Sequence, residues 1–270
     1  MLSVAVLLVN LVFAESNPLS HQEIVKHFQS KTHLSETKPS KRPMMPMERR
    51  PQRGRVRSFH LPKDVSPLVD LRYRDTASKR QFGSTCSSFG LVASIENALY
   101  EQAPMDLSER HLWNKYLKYS SEAAIKAALN KGPITEEEYW PMNRWFPHFG
   151  FKKAARARLL EAPYIEDNLA VALKALDANR PVYLGLSVTD SLYACHKVVD
   201  PSSPTNGGGH AVSIVGYGLD QNIPGGGYFI IKNSWSADCG EKGYQFVPFN
   251  YCLRDDMYCI MWDIKKVGLK

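Results

Sequence analysis

The apolar residues of this chain change their repeat part-way along, and that change constrains the fold more than any other feature. Phe89, Val92, Ile95 and Leu99 recur at helical spacing. Leu107-Ser108-Glu109 carries the start signal of a second helix, with Ser108 as its cap. Ser121 to Asn130 reads as a third helix, stopped by Gly132-Pro133, and Asn168 to Leu176 as a fourth, ended before Pro181. The texture then turns strand-like. Residues 182–188, 211–217, 228–232 and 244–249 are short β-rich runs, and glycine-rich turns are expected at Gly207-Gly208-Gly209 and Gly225-Gly226-Gly227. Helices first and strands second predict an α+β fold with a helical half and a β half. No internal repeat is present.

Ahead of this region lie three segments of different character. Met1 to Ala14 is almost wholly apolar and ends in Val12-Phe13-Ala14, which fits a signal-peptidase site. No Lys or Arg precedes the apolar run, and a buried N-terminal strand or helix is the alternative. The stretch is shorter than the roughly 20 apolar residues that span a bilayer. Ser20 and Glu23 then form a capping-box pattern with Leu19 as a staple residue, and Ile24 and Phe28 sit one turn apart, so a short amphipathic helix is expected. His21, His27 and His33 fall on different faces of such a helix and are expected to be solvated, not a shared metal site. Residues 38–62, rich in Pro and Arg, read as an extended linker. The expectation is a propeptide over residues 15 to about 61, removed on activation, with a constitutive basic tail as the alternative. A main domain would follow over 62–270.

The charge follows the same division. The chain of 270 residues has a formal net charge of +7, but residues 15–61 carry ten Lys/Arg against four Asp/Glu. The remainder is near neutral, so the electrostatic footprint of a nucleic-acid-binding domain is missing. With 44% hydrophobic and 23% charged residues, the composition is that of an ordinary globular protein.

Five cysteines are present: Cys86, Cys195, Cys239, Cys252 and Cys259. An odd count in a secreted chain asks for one free thiol and leaves four cysteines for up to two disulfides, in any of three connectivities. Cys86 suits the free thiol. It opens a helix, where a thiol pKa falls, and small residues surround it. Ser84 or Thr85 is the expected cap. His210 enters a strand after three glycines. Asn233 ends another strand, and an Asn carbonyl can hold one imidazole nitrogen and leave the other for a thiol. Trp235, two residues on, could shield that bond from water.

Taken together these segments resemble the papain family of cysteine peptidases. Gln81-Phe82-Gly83-Ser84-Thr85-Cys86-Ser87-Ser88-Phe89 is similar to the family's nucleophile segment. Gly209-His210-Ala211-Val212 with Val215-Gly216-Tyr217-Gly218 is similar to its histidine strand. Asn233-Ser234-Trp235 with Cys239-Gly240-Glu241-Lys242-Gly243-Tyr244 is similar to its asparagine segment. Leu107-Ser108-Glu109 and Gly132 followed by Tyr139-Trp140-Pro141 are smaller matches. The order Cys, His, Asn and their separations also suit the family.

The resemblance implies a two-lobed fold, with a helical lobe carrying the nucleophile helix and a β-barrel-like lobe carrying His and Asn. It implies Cys86 as nucleophile, His210 as base and then acid, and Asn233 as the residue that orients His210. Gln81, with the backbone N–H of Cys86, would form the oxyanion hole. The chemistry is acyl transfer to water through a thioester, on a peptide or protein substrate, with no metal and no cofactor. The location would be secreted or otherwise extracytoplasmic. Cys195 would pair with Cys252 or Cys259, leaving Cys239 for the other.

Several positions depart from the family pattern. The Gln81–Cys86 loop is one residue short. Ser87, Ser236 and Cys239 stand where the family has Trp, Gly and Trp. The Cys-x-Gly-Gly segment that holds substrate backbone has no counterpart between Leu107 and Gly132. Two other readings therefore accompany the hydrolase: a Cys-His-Asn transamidase, and a catalytically impaired relative that binds peptides or a partner protein.

Overall fold

The structure, a computed structural model, describes residues 18–30, 45–46, 55–151, 154 and 156–270. The signal-peptide segment Met1–Ala14 and most of the Pro/Arg-rich stretch lie outside the described residues. In chain order the elements are α1 (His21–Gln29), β1 (Met45–Pro46), β2 (Leu68–Asp70), α2 (Cys86–Leu99), α3 (Glu109–Tyr116), α4 (Ser121–Asn130), β3 (Ile134–Thr135), β4 (Arg156–Glu161), β5 (Tyr164–Glu166), α5 (Leu169–Asp177), β6 (Val182–Thr189), α6 (Asp190–Tyr193), β7 (Thr205–Leu219), β8 (Gly227–Lys232), β9 (Tyr244–Pro248), α7 (Asn250–Leu253), β10 (Cys259–Asp263) and β11 (Lys266–Leu269). None of the described helices is long and apolar enough to cross a membrane.

The helices start where their caps predict. Ser108, Ser120 and Asn168 each accept a hydrogen bond from the third backbone N–H of α3, α4 and α5. The capping box of Ser20 and Glu23 closes around the start of α1. The helical half packs Leu91, Val92, Ile95 and Leu99 of α2 against Leu112 of α3 and Ile125 of α4. The β half is an antiparallel sheet in the order β5-β10-β6-β7-β8-β9, with β1 and β2 also on β7. Its core holds Leu184, Leu186, Ile214, Phe229, Ile231 and Val247, covered by Leu173 and Leu176 of α5. A separate three-stranded sheet, β11-β4-β3, closes the helical side.

The two-lobed α+β expectation is met, with two corrections inside the β half. The path ends at β5 and β9, and no ladder joins them among the described residues, so this lobe is an open sheet and not a closed barrel. Gly207-Gly208-Gly209 is not a turn: it belongs to β7, a strand of 15 residues that starts at Thr205. Gly209 pairs on both sides, with Ser187 of β6 and Met45 of β1, and Gly208 pairs with Pro46. Glycine weakens a strand but does not forbid one when both edges are paired.

The disulfides also correct the expectation drawn from the resemblance. Cys195 pairs with Cys239, and Cys252 with Cys259; Cys86 is the free cysteine. The turn after α6 is tied to the asparagine segment by a bond from Gly240 N–H to the Cys195 carbonyl. That brings the Cα atoms of Cys195 and Cys239 to 4.9 Å, within bridging range. Cys252 and Cys259 lie seven residues apart, at the end of α7 and the start of β10.

The N-terminal helix is docked onto the β half. Ile24 is 2% exposed and packs with Leu71, Val215, Tyr228, Ile230 and Phe246. Leu19 N–H donates to Glu241 Oε1 at 2.8 Å. His21 is not simply solvated, because its Nδ1 lies 2.9 Å from the Tyr228 hydroxyl and its ring stacks on Tyr228. Residues 55–61 are bound as well. Arg57 N–H donates to the Leu253 carbonyl, and Phe59 meets Phe249 edge-on.

Candidate active site

Cys86 is the first residue of α2. Thr85 holds the cap position without a capping hydrogen bond, because its hydroxyl donates instead to the Phe82 carbonyl. The sulfur is fully buried. Burial pushes the thiol up to about 12, while hydrogen bonds from the backbone of Ala211, Ser87 and Cys86 itself act in the opposite direction. The bond involving Ala211 ties α2 to β7 one residue beyond His210. Gly90, one turn along α2, explains how the two elements come so close. A Cβ there would stand 2.9 Å from Val212 N and 3.0 Å from the Ala211 carbonyl carbon. Only glycine lets the backbone of α2 lie this near β7.

His210 is fully buried on β7, opposite Leu186 of β6. Its Nε2 lies 2.9 Å from Asn233 Oδ1. Asn233 follows the end of β8 and is 2% exposed; its Oδ1 also accepts from Ser234 N–H at 2.7 Å. Trp235 stacks on the His210 ring with centroids 4.2 Å apart, the covering position its place in the sequence predicts. His210 and Asn233 are thus in direct contact, and Cys86 adjoins them through Ala211.

Gln81 is drawn to the same place from the other side. Its backbone N–H donates to the Ser234 carbonyl, and its Oε1 accepts from the Ser234 hydroxyl at 2.7 Å. Its Nε2 donates to the Gly83 carbonyl at 2.9 Å. The short loop is therefore compensated by Ser234, whose role the sequence did not signal. A run of hydrogen bonds links Gln81, Ser234, Asn233 and His210.

The residue after Cys86 is a serine held by two tyrosines. Ser87 is fully buried, with its hydroxyl 2.9 Å from that of Tyr116 and its carbonyl accepting from Tyr183 OH. Two tyrosines, from α3 and β6, occupy the space around Ser87. Neither was legible as such, since each reads locally as an ordinary core aromatic. The α3–α4 connection is residues 117–120, Leu-Lys-Tyr-Ser, with Leu117 left-handed at φ 47°, and it carries no glycine pair.

Behind α2, between that helix and β8, lies a cavity whose lining mixes Phe89, Gly90 and Ala93 with Lys79, Glu96, Glu109, Lys232, Asn233 and Ser234. Lys79 Nζ is 2.8 Å from Glu109 and 3.7 Å from Glu96. Lys232 donates to the Thr76 carbonyl. Among the described residues no cluster of His, Cys, Asp or Glu suits a metal ion.

The family model of papain family cysteine proteases matches residues 75–258, which contain every one of these side chains. This chain belongs to that family. A viral cathepsin of Cydia pomonella granulosis virus is 29% identical over 175 residues, covering 59% of this chain and 50% of its own length. Peptidase 1 of Psoroptes ovis is 24% identical over 207 residues, covering 72% and 63%. The chain thus spans about half to two thirds of the length of these papain-family relatives. Among solved structures, xylellain, a cysteine protease from Xylella fastidiosa, superposes with a TM-score of 0.61 at 19% identity, over 84% of this chain and 98% of that one. Bromelain from Ananas comosus in complex with the E64 inhibitor gives 0.57 at 18%, over 74% and 99%. At these identities the two structures speak for the papain-like fold alone.

Proposed function

We propose that this chain is made as a precursor and hydrolyses peptide bonds outside the cytosol, with Cys86 as nucleophile, His210 as base and acid, and Asn233 as the group that orients His210. The observation that carries this reading is the 2.9 Å contact of His210 Nε2 with Asn233 Oδ1, beneath the stacked Trp235 and beside the first turn of α2. With Nε2 committed to Asn233, proton exchange with the thiol runs through Nδ1. The thiol gives its proton to Nδ1, and the thiolate attacks the substrate carbonyl. The imidazolium returns that proton to the leaving amine, and water then hydrolyses the thioester. The backbone N–H of Cys86 and an N–H of Gln81 serve the oxyanion; an amide NH2 has two donors, one of which Gln81 places on Gly83.

The burial of Cys86 and His210 supports latency. Met45–Pro46 pairs with Gly208–Gly209, directly before His210, so this short strand passes beside the site. While that cover stays, a thiol pushed up to about 12 is protonated and unreactive at neutral pH. Removal of residues 15 to about 61 uncovers it. Two disulfides suit an oxidising compartment.

The test is labelling by an epoxysuccinyl inhibitor of the full chain, the processed form and Cys86→Ala. We expect one label per processed molecule, on Cys86, and slower labelling of the full chain. Folded processed protein that takes no label defeats the peptidase reading. Equal rates before and after processing defeat the latency.

A further inference from the structure

Asn233 helps His210 in only one of its two amide orientations. Oδ1 must face Nε2, yet the two ends of a carboxamide are nearly identical in shape, so only its hydrogen-bond partners choose between them. Ser234 N–H favours Oδ1 on the His210 side. The other end of Asn233 is settled by Gln245, a fully buried residue of β9. Asn233 Nδ2 donates to Gln245 Oε1 at 2.7 Å.

Gln245 has no choice of orientation either. Its Nε2 donates to the carbonyls of His196 at 2.8 Å and Leu192 at 3.3 Å, and carbonyls only accept. Its Oε1 is thereby turned to Asn233, which turns Asn233 Oδ1 to His210, which requires the proton of neutral His210 to sit on Nε2. The His196 carbonyl is anchored next to Cys195, whose disulfide partner Cys239 has its sulfur 3.6 Å from Gln245 Oε1 and 3.8 Å from Asn233 Nδ2. Two main-chain carbonyls thus dictate, through two side-chain amides, which imidazole nitrogen faces the thiol.

We infer that Gln245 is a positioning residue that, through the amide of Asn233, holds His210 in the tautomer with its proton on Nε2 and Nδ1 turned to Cys86. The inference rests on the peptidase reading above for its consequence in rate, but its geometry can be tested without activity.

The experiment compares the full chain with Gln245→Leu and Gln245→Glu. Nitrogen-15 NMR of labelled histidine reads the His210 tautomer whether or not the protein turns over, and the rate at which Cys86 is alkylated is followed against pH after activation. We expect the Nε2–H tautomer in the unmutated chain. Q245L should give a mixture of tautomers, alkylation roughly 10- to 100-fold slower, and a pH window narrowed from both sides. Q245E, kept protonated by burial, donates its O–H to the His196 carbonyl and still accepts from Asn233, and should recover most of the loss. A role confined to packing would lower the melting temperature and leave tautomer and pH window in place; that result for Q245L overturns the inference, as does an Nδ1–H tautomer in the unmutated chain. If Cys86 does not react in any form, the peptidase reading fails and the tautomer comparison still decides the role of Gln245. If Q245L does not fold, exchange of the Asn233 and Gln245 side-chain amide protons decides it: protection in the unmutated chain supports the inference, and exchange at the rate of an exposed amide overturns it.

Discussion

The indole of Trp235 lies against the imidazole of His210, with ring centroids 4.2 Å apart and planes 20° apart. A hydrogen bond kept from water is stronger than one exposed to it. Trp235→Leu opens the edge of the His210–Asn233 bond. Weakening that bond by about 1–1.5 kcal/mol lowers kcat/KM on a peptide substrate by about tenfold. Trp235→Phe keeps a stacked ring and should lose less. Unchanged kcat/KM in W235L would remove the shielding role.

Gly90 offers a test of the α2–β7 approach. Gly90→Ala places a methyl 2.9 Å from Val212 N and 3.0 Å from the Ala211 carbonyl carbon, all of them main-chain atoms that cannot rotate aside. The helix must move off the strand, and Cys86 moves with it relative to His210. We expect a lower melting temperature and a rate of Cys86 alkylation reduced by roughly 100-fold, the cost of a misplacement of about 1 Å. A wild-type rate with a lowered melting temperature would mean that the alignment of Cys86 does not depend on this contact.

Lys79 is the cation between Glu96 and Glu109 behind helix α2. Burial pushes Glu109 up to about 8, against the pull of Lys79. Lys79→Met leaves two buried carboxyls without that partner and should destabilise the fold by about 3–5 kcal/mol. A carboxyl whose folded pKa is raised contributes less to stability as pH rises from its unfolded value, near 4.5, through its folded value. Removing Lys79 raises that folded value further. Below about pH 7 Glu109 is protonated in both folded proteins, so its share of the K79M deficit should open above about pH 8 and grow toward about pH 9.5, as read by urea melts at about pH 6 and pH 9.5. A deficit independent of pH would show that Glu109 is not the group left uncompensated.

Ser87 tests whether the departure from the family pattern after Cys86 is a defect or an alternative packing. Tyr116 and Tyr183 bond to Ser87 and fill its surroundings. Restoring the family's usual residue with Ser87→Trp should overpack the site and cost about 1–3 kcal/mol, with no gain in alkylation rate. A stabilised, faster S87W would mean that the two tyrosines leave usable space.

Much of the site was legible in single residues. Cys86 starts a helix and Asn233 follows the end of a strand, where the sequence shows a cap or a change of period, while His210 follows a glycine run inside β7, and the structure brings all three to one seam. Gln81 was legible as a residue but not in its setting, because Ser234, which holds it, lies 153 positions away. Gln245 was invisible for a similar reason. A Gln inside a β-rich run reads as a solvated position until the carbonyls of Leu192 and His196 are seen to face it. The cysteine pairing was misjudged because pairing depends on where the turn after α6 lies, and nothing local specifies that. The glycine run before His210 was misread as a turn because its strand character comes from partners on β6 and β1.

The sequence by itself determined where the elements start and stop, the α+β order, and the three segments that identify the papain family. Capping hydrogen bonds and apolar periodicity act over a few residues and leave a direct imprint on the chain. Only the tertiary structure decided which cysteines pair, that the β half stays open, and that helix α1 is docked by Ile24 onto the outer side of the sheet. It alone decided how far burial raises the Cys86 thiol. These depend on contacts between residues far apart in sequence, and an environment of that kind exists only once the chain has folded.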